Sequence, residues 1–399
     1  MNGKNKKFPV ILLSAVLAVA LIFGGVFGTI AAVRNSRAVM KYNGLTADEG
    51  TCHYLASVAK TEYLSQLARS GVAFVDEPVF YAKTAASGKT YGEELAAYVE
   101  TYIRETLVCA SLFDKYSRMT KSDREKLDGA IAEVLDYRAD GSIDTFNENT
   151  EAMGFDYKAF RKGAELTYKA AHAMTVIYGS GGSNMRNFPD DCDTFLSEHY
   201  VHVQLLYIRT ETKFETDEAG NRVSDGEGHD KTVALTAAEK QERQDDIAAI
   251  DAAIETYKTG VGTLSITPQM FGLYINKYDD GDDTAHTYGY YFAEDSAYTA
   301  EFSEAFPEIV SEVGKTQMNE YRKVTLPDAV CYIYRYEADS GDYAVESLSG
   351  MFANFYALAA NAVHEKTMIT LLPEVTVTDK YDAGFAIPVP YNKDFYVRF

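Results

Sequence analysis

The first half of the chain is patterned almost throughout for helix. Apolar residues recur every three or four positions, which gathers them on one helical face. After a short apolar stretch from Val39, the pair Asn43-Gly44 predicts a tight turn. Thr46 and Glu49 then have the spacing of a capping box that opens a helix. Tyr54, Val58, Thr61, Leu64 and Leu67 carry that helix to about Arg69. The stretch from Gly71 to Gly88, which contains Pro78, reads as loop or short extended pieces. A second long helix is predicted from Tyr91 to Tyr116, with Leu95, Tyr98, Val99, Tyr102, Ile103, Leu107 and Leu112 at its apolar positions. Lys121–Tyr137, Ile143–Met153 and Tyr157–Tyr178 predict three more helices. Little of this region shows the two-residue alternation of a half-buried strand.

The pattern changes after Tyr178. The run YGSGGSNMRNFPDD (Tyr178–Asp191) has no lysine at phosphate-loop spacing and no strand leading into it, so it reads as a linker. A short helix from Asp193 to His199 leads into a strand, Tyr200–Arg209. Polar, acidic residues from Glu211 to Val233 predict an exposed loop. Leu235–Tyr257 is patterned as a helix with Ile247, Ile250 and Ile254 on one face, and Met270–Tyr278 as a shorter one. The turn DDGDD (Asp279–Asp283) lacks the ligand order and the later Glu of a calcium loop. Gly289–Phe292, GYYF, predicts a central strand packed tightly at its glycine. Phe302 and Phe306 have helical spacing, and AVCYIYRYE reads as a second long strand. A helix from about Tyr343 to Leu371 should follow, with Leu348, Phe352, Phe355, Leu358 and Ala359 on a face that needs a partner.

Composition narrows the function. The 399 residues allow two or three domains, and 46% apolar content suffices for sizeable cores. The aromatics are 30 Tyr and 21 Phe, with no Trp. A net charge of −21 argues against nucleic acid, whose phosphates would be repelled. Cys52, Cys109, Cys192 and Cys331 show no metal-ligand spacing, so neither a metal site nor a cofactor is expected. An uncharged run of 26 residues, Phe8 to Val33, follows Lys4, Lys6 and Lys7. It exceeds the ~20 residues a spanning helix needs. The expectation is a single-pass cell-membrane protein with most of the chain extracytoplasmic, or a secreted one if the segment is a cleaved signal.

The order of motifs adds a resemblance. VMKYNGLTADE, followed by helices, then VHVQLLYIRT, GYYF, AEFSEAF and AVCYIYRYE, resembles the SurA/PrsA group of extracytoplasmic foldases over about 350 residues. In that group a helical domain precedes a parvulin-type peptidyl-prolyl isomerase domain, and a C-terminal segment returns to the helices. The implied fold class is α+β. A helical chaperone-like domain is completed by a C-terminal helix, and an inserted parvulin-like α/β domain has an antiparallel sheet wrapped by helices. The implied boundaries are 1–37 for the membrane segment, 38–190 for the helical domain, 195–340 for the parvulin-like domain and 341–399 for the returning segment.

A parvulin turns an X–Pro bond, whose amide resonance resists rotation by roughly 18–20 kcal/mol. The resemblance implies two facing histidines, a nearby Cys or Asp, and an apolar pocket with a Met and a Phe. Carried onto this sequence, the pocket residues are Phe302, with Tyr298 in place of the Met, and Phe306 beside them. The Cys/Asp position falls on Asp280 or Asp282. The histidine positions fall on Leu205 and Cys331. His202 lies three residues before Leu205, on the opposite face of the strand, and His286 lies in a loop.

With both histidines replaced, the expectation shifts from isomerase towards a foldase or holdase for unfolded or extended secreted chains, with weak or no isomerase activity. A homodimer stays open. The alternatives are an active parvulin-type isomerase, a purely structural cell-envelope protein, and a surface-anchored solute-binding protein. The last should alternate strand and helix through two lobes.

Overall fold

A computed structural model of the chain describes residues 38–179, 182, 188–219, 221–225, 230–259, 268–280, 288–294, 296–397 and 399. It divides into two compact units, one of residues up to 186 together with 363–399, the other of residues 187–362. The sheets are antiparallel throughout. No helix among the described residues is long and apolar enough to cross a membrane. That overturns the single-pass placement; the run Phe8–Val33 that suggested it lies outside the described residues.

The first unit opens with a hairpin of β1 (Ala38–Tyr42) and β2 (Leu45–Asp48). Asn43 and Gly44 turn it, both at positive φ (45 and 83), the geometry for which this dipeptide is favoured. The helices α1 (Glu49–Arg69), α2 (Pro78–Tyr81), α3 (Tyr91–Tyr116), α4 (Lys121–Ala139), α5 (Ile143–Thr150) and α6 (Tyr157–Tyr178) follow. The capping box expected of Thr46 and Glu49 does not form. Thr46 sits in β2, and Asp48 caps α1 by accepting from the Thr51 N–H at 3.0 Å. True capping boxes open α3 at Thr90/Glu93 and α4 at Thr120/Asp123. The two-lobed alternation of a solute-binding protein is not what these residues build.

The core of this unit is α1, α3 and α6, packed through Tyr54, Leu55, Val99, Ile103, Phe160 and Ala164, all buried. Gly163 lets α6 approach α1, since a Cβ there would lie 2.1 Å from the Tyr54 ring. The C-terminal residues close the bundle. β9 (Thr376–Val377) pairs with β1, and Met368, Val375, Phe395 and Val397 join the same core. Polar ties fasten this segment. Buried Lys60 donates to the carbonyls of Ile387 and Val389 at 2.9 and 2.7 Å and pairs with Asp76 at 2.6 Å. Asn392 donates to the Ser57 hydroxyl at 3.0 Å, and Arg104 reaches the carbonyls of Leu372 and Val375.

The second unit contains α7 (Phe188–His199), β3 (Val201–Arg209), β4 (Thr212–Phe214), β5 (Thr232–Ala234), α8 (Ala237–Thr259), α9 (Pro268–Tyr278), β6 (Tyr290–Phe292), α10 (Ala297–Ala305), α11 (Pro307–Val313), β7 (Tyr321–Thr325) and β8 (Ala329–Tyr336). Its main sheet has the order β6-β3-β8-β7. GYYF is therefore an edge strand, not a central one. The tight packing at its glycine is present: Gly289 has φ 76, and a Cβ would meet the Tyr336 hydroxyl and the Val203 carbonyl at 2.7 Å. One sheet face, with Leu206, Ile208, Tyr332 and Tyr334, packs on Ile250, Ile254, Phe271 and Ile275 of α8 and α9. The other face, with Val203, Leu205, Cys331 and Ile333, packs on Ile309 and Val313 of α11. Helices on both faces explain why β8 is apolar at nearly every position rather than at alternate ones.

Two expectations change here. Residues 211–233 are not a plain exposed loop. β4 and β5 pair, and isolated bridges Thr216↔Arg222 and Ser224↔Asp230 extend the excursion. The helix expected from Tyr343 begins only at Phe355, as α12 (Phe355–Leu371). Gly341 and Asn354 take positive φ, and the residues between form turns that bury Leu348 and seat Phe352 against Tyr200 and Tyr291. Residues 341–362 thus count with the sheet unit, and Leu358 is left 44% exposed.

Replacing Asp76 by Ala strands the buried Lys60 ammonium. The expected cost is about 2 kcal/mol in urea unfolding, less than the ~3–5 of a fully buried pair because Asp76 keeps contact with water. Hydrogen exchange at 387–392 should accelerate; unchanged exchange there would show that Lys60 does not hold the segment.

Candidate functional site

A groove of about 500 Å³ opens on the α10–α11 side of the sheet unit. Its floor includes Leu205 of β3, and Tyr207 and Arg209 continue along the same strand. Period-two geometry puts these three residues on one face. Tyr290 of β6, Tyr298 and Phe302 of α10, and Phe306 at the start of α11 form its aromatic wall. The rings run on from one another: Phe302 lies 5.8 Å from Tyr290, 6.0 Å from Tyr298 and 5.1 Å from Phe306. Phe306 in turn meets Tyr207 edge-on at 5.8 Å. Phe302 and Phe306 are half-buried, so each packs below and offers ring surface above.

The far rim comes from the β4–β5 excursion. Phe214 is sandwiched by the guanidinium groups of Arg209 and Arg222, at 4.7 and 4.0 Å from its ring centre. Arg222 also pairs with Asp230 at 3.2 Å. Phe214, Arg222 and Asp230 lie in the stretch expected to be loop. The signal that could have found them is the strand-like TKF and TVA flanking a turn-rich middle.

Asp280 lies at the groove, committed to holding the strand. One carboxylate oxygen accepts from the Arg209 N–H at 3.0 Å and the other pairs with Arg243 at 3.0 Å. Its own N–H donates to the Tyr207 carbonyl at 2.7 Å, and the Tyr207 N–H donates to the Asp279 carboxylate. β6 pairs with β3 only as far as Val203, so Asp279 and Asp280 occupy the strand edge beyond it. Burial pushes the Asp280 carboxyl above its usual range, while Arg243 and Arg209 pull it down. Asp282 and His286 lie outside the described residues.

The two positions matched to histidines differ in access. Leu205 is on the groove floor. Cys331 lies beneath the lining, wholly buried, across the ladder from Tyr207. Its thiol points at the Tyr332 carbonyl at 3.8 Å, and burial pushes it far up, with Asp279 adding to the effect. Neither residue can orient or polarise a peptide carbonyl in the groove. The groove offers flat aromatic surface beside a charged rim.

His202 is on the other face, as its spacing from Leu205 implies. It is buried between the rings of Tyr291 and Tyr336, both with centres 3.9 Å away. Its ring nitrogens lie 3.0 Å from the Glu337 carbonyl and 2.7 Å from the Tyr288 carbonyl.

No family model matches the chain, and no curated protein sequence matches it. Among solved structures it is similar to the foldase protein (PrsA) from Lactococcus lactis, at 10% identity, covering 88% of this chain and 98% of that chain, with a TM-score of 0.20. A score that low settles neither fold nor function, and the functional reading rests on the geometry.

Burial lowers the pKa of His202 against the pull of the Tyr288 and Glu337 carbonyls and of Asp342 and Asp339. A depressed folded value means the unfolded chain binds the proton first. The stability this supplies is present above the unfolded value of about 6.5 and is lost as pH falls towards the folded one. Unfolding free energy should therefore drop as pH falls below about 6.5, and the drop should shrink in His202→Gln. Parallel pH profiles for the two proteins would remove His202 as the cause.

Proposed function

We propose that this chain is a folding factor that holds unfolded or extended polypeptide in the aromatic groove of its sheet unit, and that turning X–Pro bonds is at most a minor part of its work. The observation that carries this reading is the groove itself: Tyr290, Tyr298, Phe302 and Phe306 around a floor that offers Leu205 and, beneath it, the buried Cys331. Aromatic side chains supply large contact area at low entropic cost and adapt to many sequences. Isomerase chemistry needs groups that favour the twisted amide over the planar one. A leucine and an inaccessible thiol supply apolar surface instead. The net charge of −21 keeps a protein bearing an apolar client soluble.

A sequence-tolerant groove also predicts holding rather than turnover. Aggregation of an unfolded client should be suppressed in proportion to the amount of protein added, levelling off near one-to-one. Phe302→Ala should weaken client binding about tenfold, or roughly 1.4 kcal/mol, while leaving the circular dichroism spectrum unchanged. Efficient turnover of a prolyl peptide at catalytic amounts, lost on changing Phe302 or Asp280, would favour the isomerase reading instead.

A further inference from the structure

Arg209 lines the aromatic groove, beyond Leu205 and Tyr207 on the same face of β3. The other described charges of the groove are engaged. Arg222 pairs with Asp230 at 3.2 Å, Asp280 holds Arg243 and the Arg209 backbone N–H, and Asp279 accepts from the Tyr207 N–H. The Arg209 guanidinium differs. Its neighbours are rings, Phe214 at 4.7 Å and Tyr207 at 5.8 Å. Rings attract the cation but give its in-plane N–H groups no acceptor. Among the described residues this side chain donates no hydrogen bond and makes no ion pair, and its Nε is enclosed without a partner.

Enclosed donors without acceptors are rare in folded proteins. This one occurs in a chain with 59 acidic residues against 38 Lys and Arg, so a shortage of carboxylates does not explain it. The group that completes a guanidinium is a carboxylate, which takes two parallel N–H bonds along one edge. We propose that Arg209 is the specificity residue of the groove, selecting extended segments with an Asp or Glu at a set spacing from the apolar residue held among Leu205, Phe302 and Phe306. The strand sets that spacing. An extended client advances per residue as β3 does, so a side chain over Leu205 places the one four positions along over Arg209, and a side chain beside Tyr207 needs two. The inference rests on the holding function proposed above and gives the same groove a sequence preference. That preference acts against the general repulsion of acidic segments by a chain at −21.

The test uses the full chain and fluorescent peptides with blocked ends. Each has one Phe as anchor and a Glu, or in its counterpart a Gln, placed two, four or nine positions to either side. At two or four positions on one side, Glu should bind about tenfold tighter than Gln, and salt should narrow the gap. At nine positions the two should bind alike. The ratio should fall to about one in Arg209→Gln and about threefold in Arg209→Lys, whose ammonium lacks the planar fork. Arg118→Gln removes an equal charge from the helical unit and should keep the native ratio. A native ratio near one, a ratio indifferent to spacing, or one that survives Arg209→Gln overturns the inference, and binding of the Gln peptides then leaves the holding function standing. A gain confined to a peptide without Glu that ends in a free carboxylate four positions from Phe also overturns it, because the groove would then read chain ends. If no peptide binds the native chain, both readings fail together.

Discussion

The ladder between β3 and β8 is the constraint on which the sheet unit depends. It runs from His202↔Tyr336 to Arg209↔Ala329 without a break, each residue opposite a fixed partner. Register decides what each face can do. It sends Leu205, Tyr207 and Arg209 to the groove and Leu206 and Ile208 to the core under α8 and α9. A slip by one residue would exchange these sets and leave Arg209 in the core. Asp279 and Asp280 guard the arrangement from the side, occupying backbone groups of β3 that no neighbouring strand pairs. Asp279 and Asp280, though they line the groove, therefore serve the strand.

The helical unit depends on a different economy. Its bundle is made of early residues but finished by late ones, and polar ties add to the apolar packing at the joint. Lys60 is buried, which disfavours its charge, yet it meets Asp76 and two carbonyls of the C-terminal segment. Tyr81 adds its ring under the ammonium at 4.9 Å and its hydroxyl to Asp76. A buried cation that is satisfied only when residues 387–389 are in place couples closure of the bundle to the correct seating of that segment.

Much of the framework was legible in the sequence. Helical spacing alone predicts Tyr91–Tyr116 and Tyr157–Tyr178 with the bounds the structure gives, because long amphipathic patterns leave few alternatives. Asn43-Gly44 announced its turn through its backbone preference. Elements decided by tertiary contact were not legible. β4 pairs with β5 while Phe214 meets two arginines, and α12 starts late, after turns that bury Leu348 and set Phe352 against Tyr200 and Tyr291. At the site, Phe302, Tyr298, Phe306, Leu205 and Asp280 were nameable from motif order, and the structure gathers them around one groove. Cys331 was nameable as well, but its place under the floor follows from the register of the ladder. Arg209, Tyr207 and Tyr290 reach the groove through that same register, which one strand read alone does not reveal.

The central claim is that the groove grips chain without turning its prolyl bonds. The most direct measurement is the refolding of a client whose slow phase is set by prolyl isomerisation, followed with increasing amounts of this protein. Holding without turnover predicts that the slow-phase rate stays constant or falls while the yield of soluble client rises. A slow phase that accelerates in proportion to the protein added would contradict it.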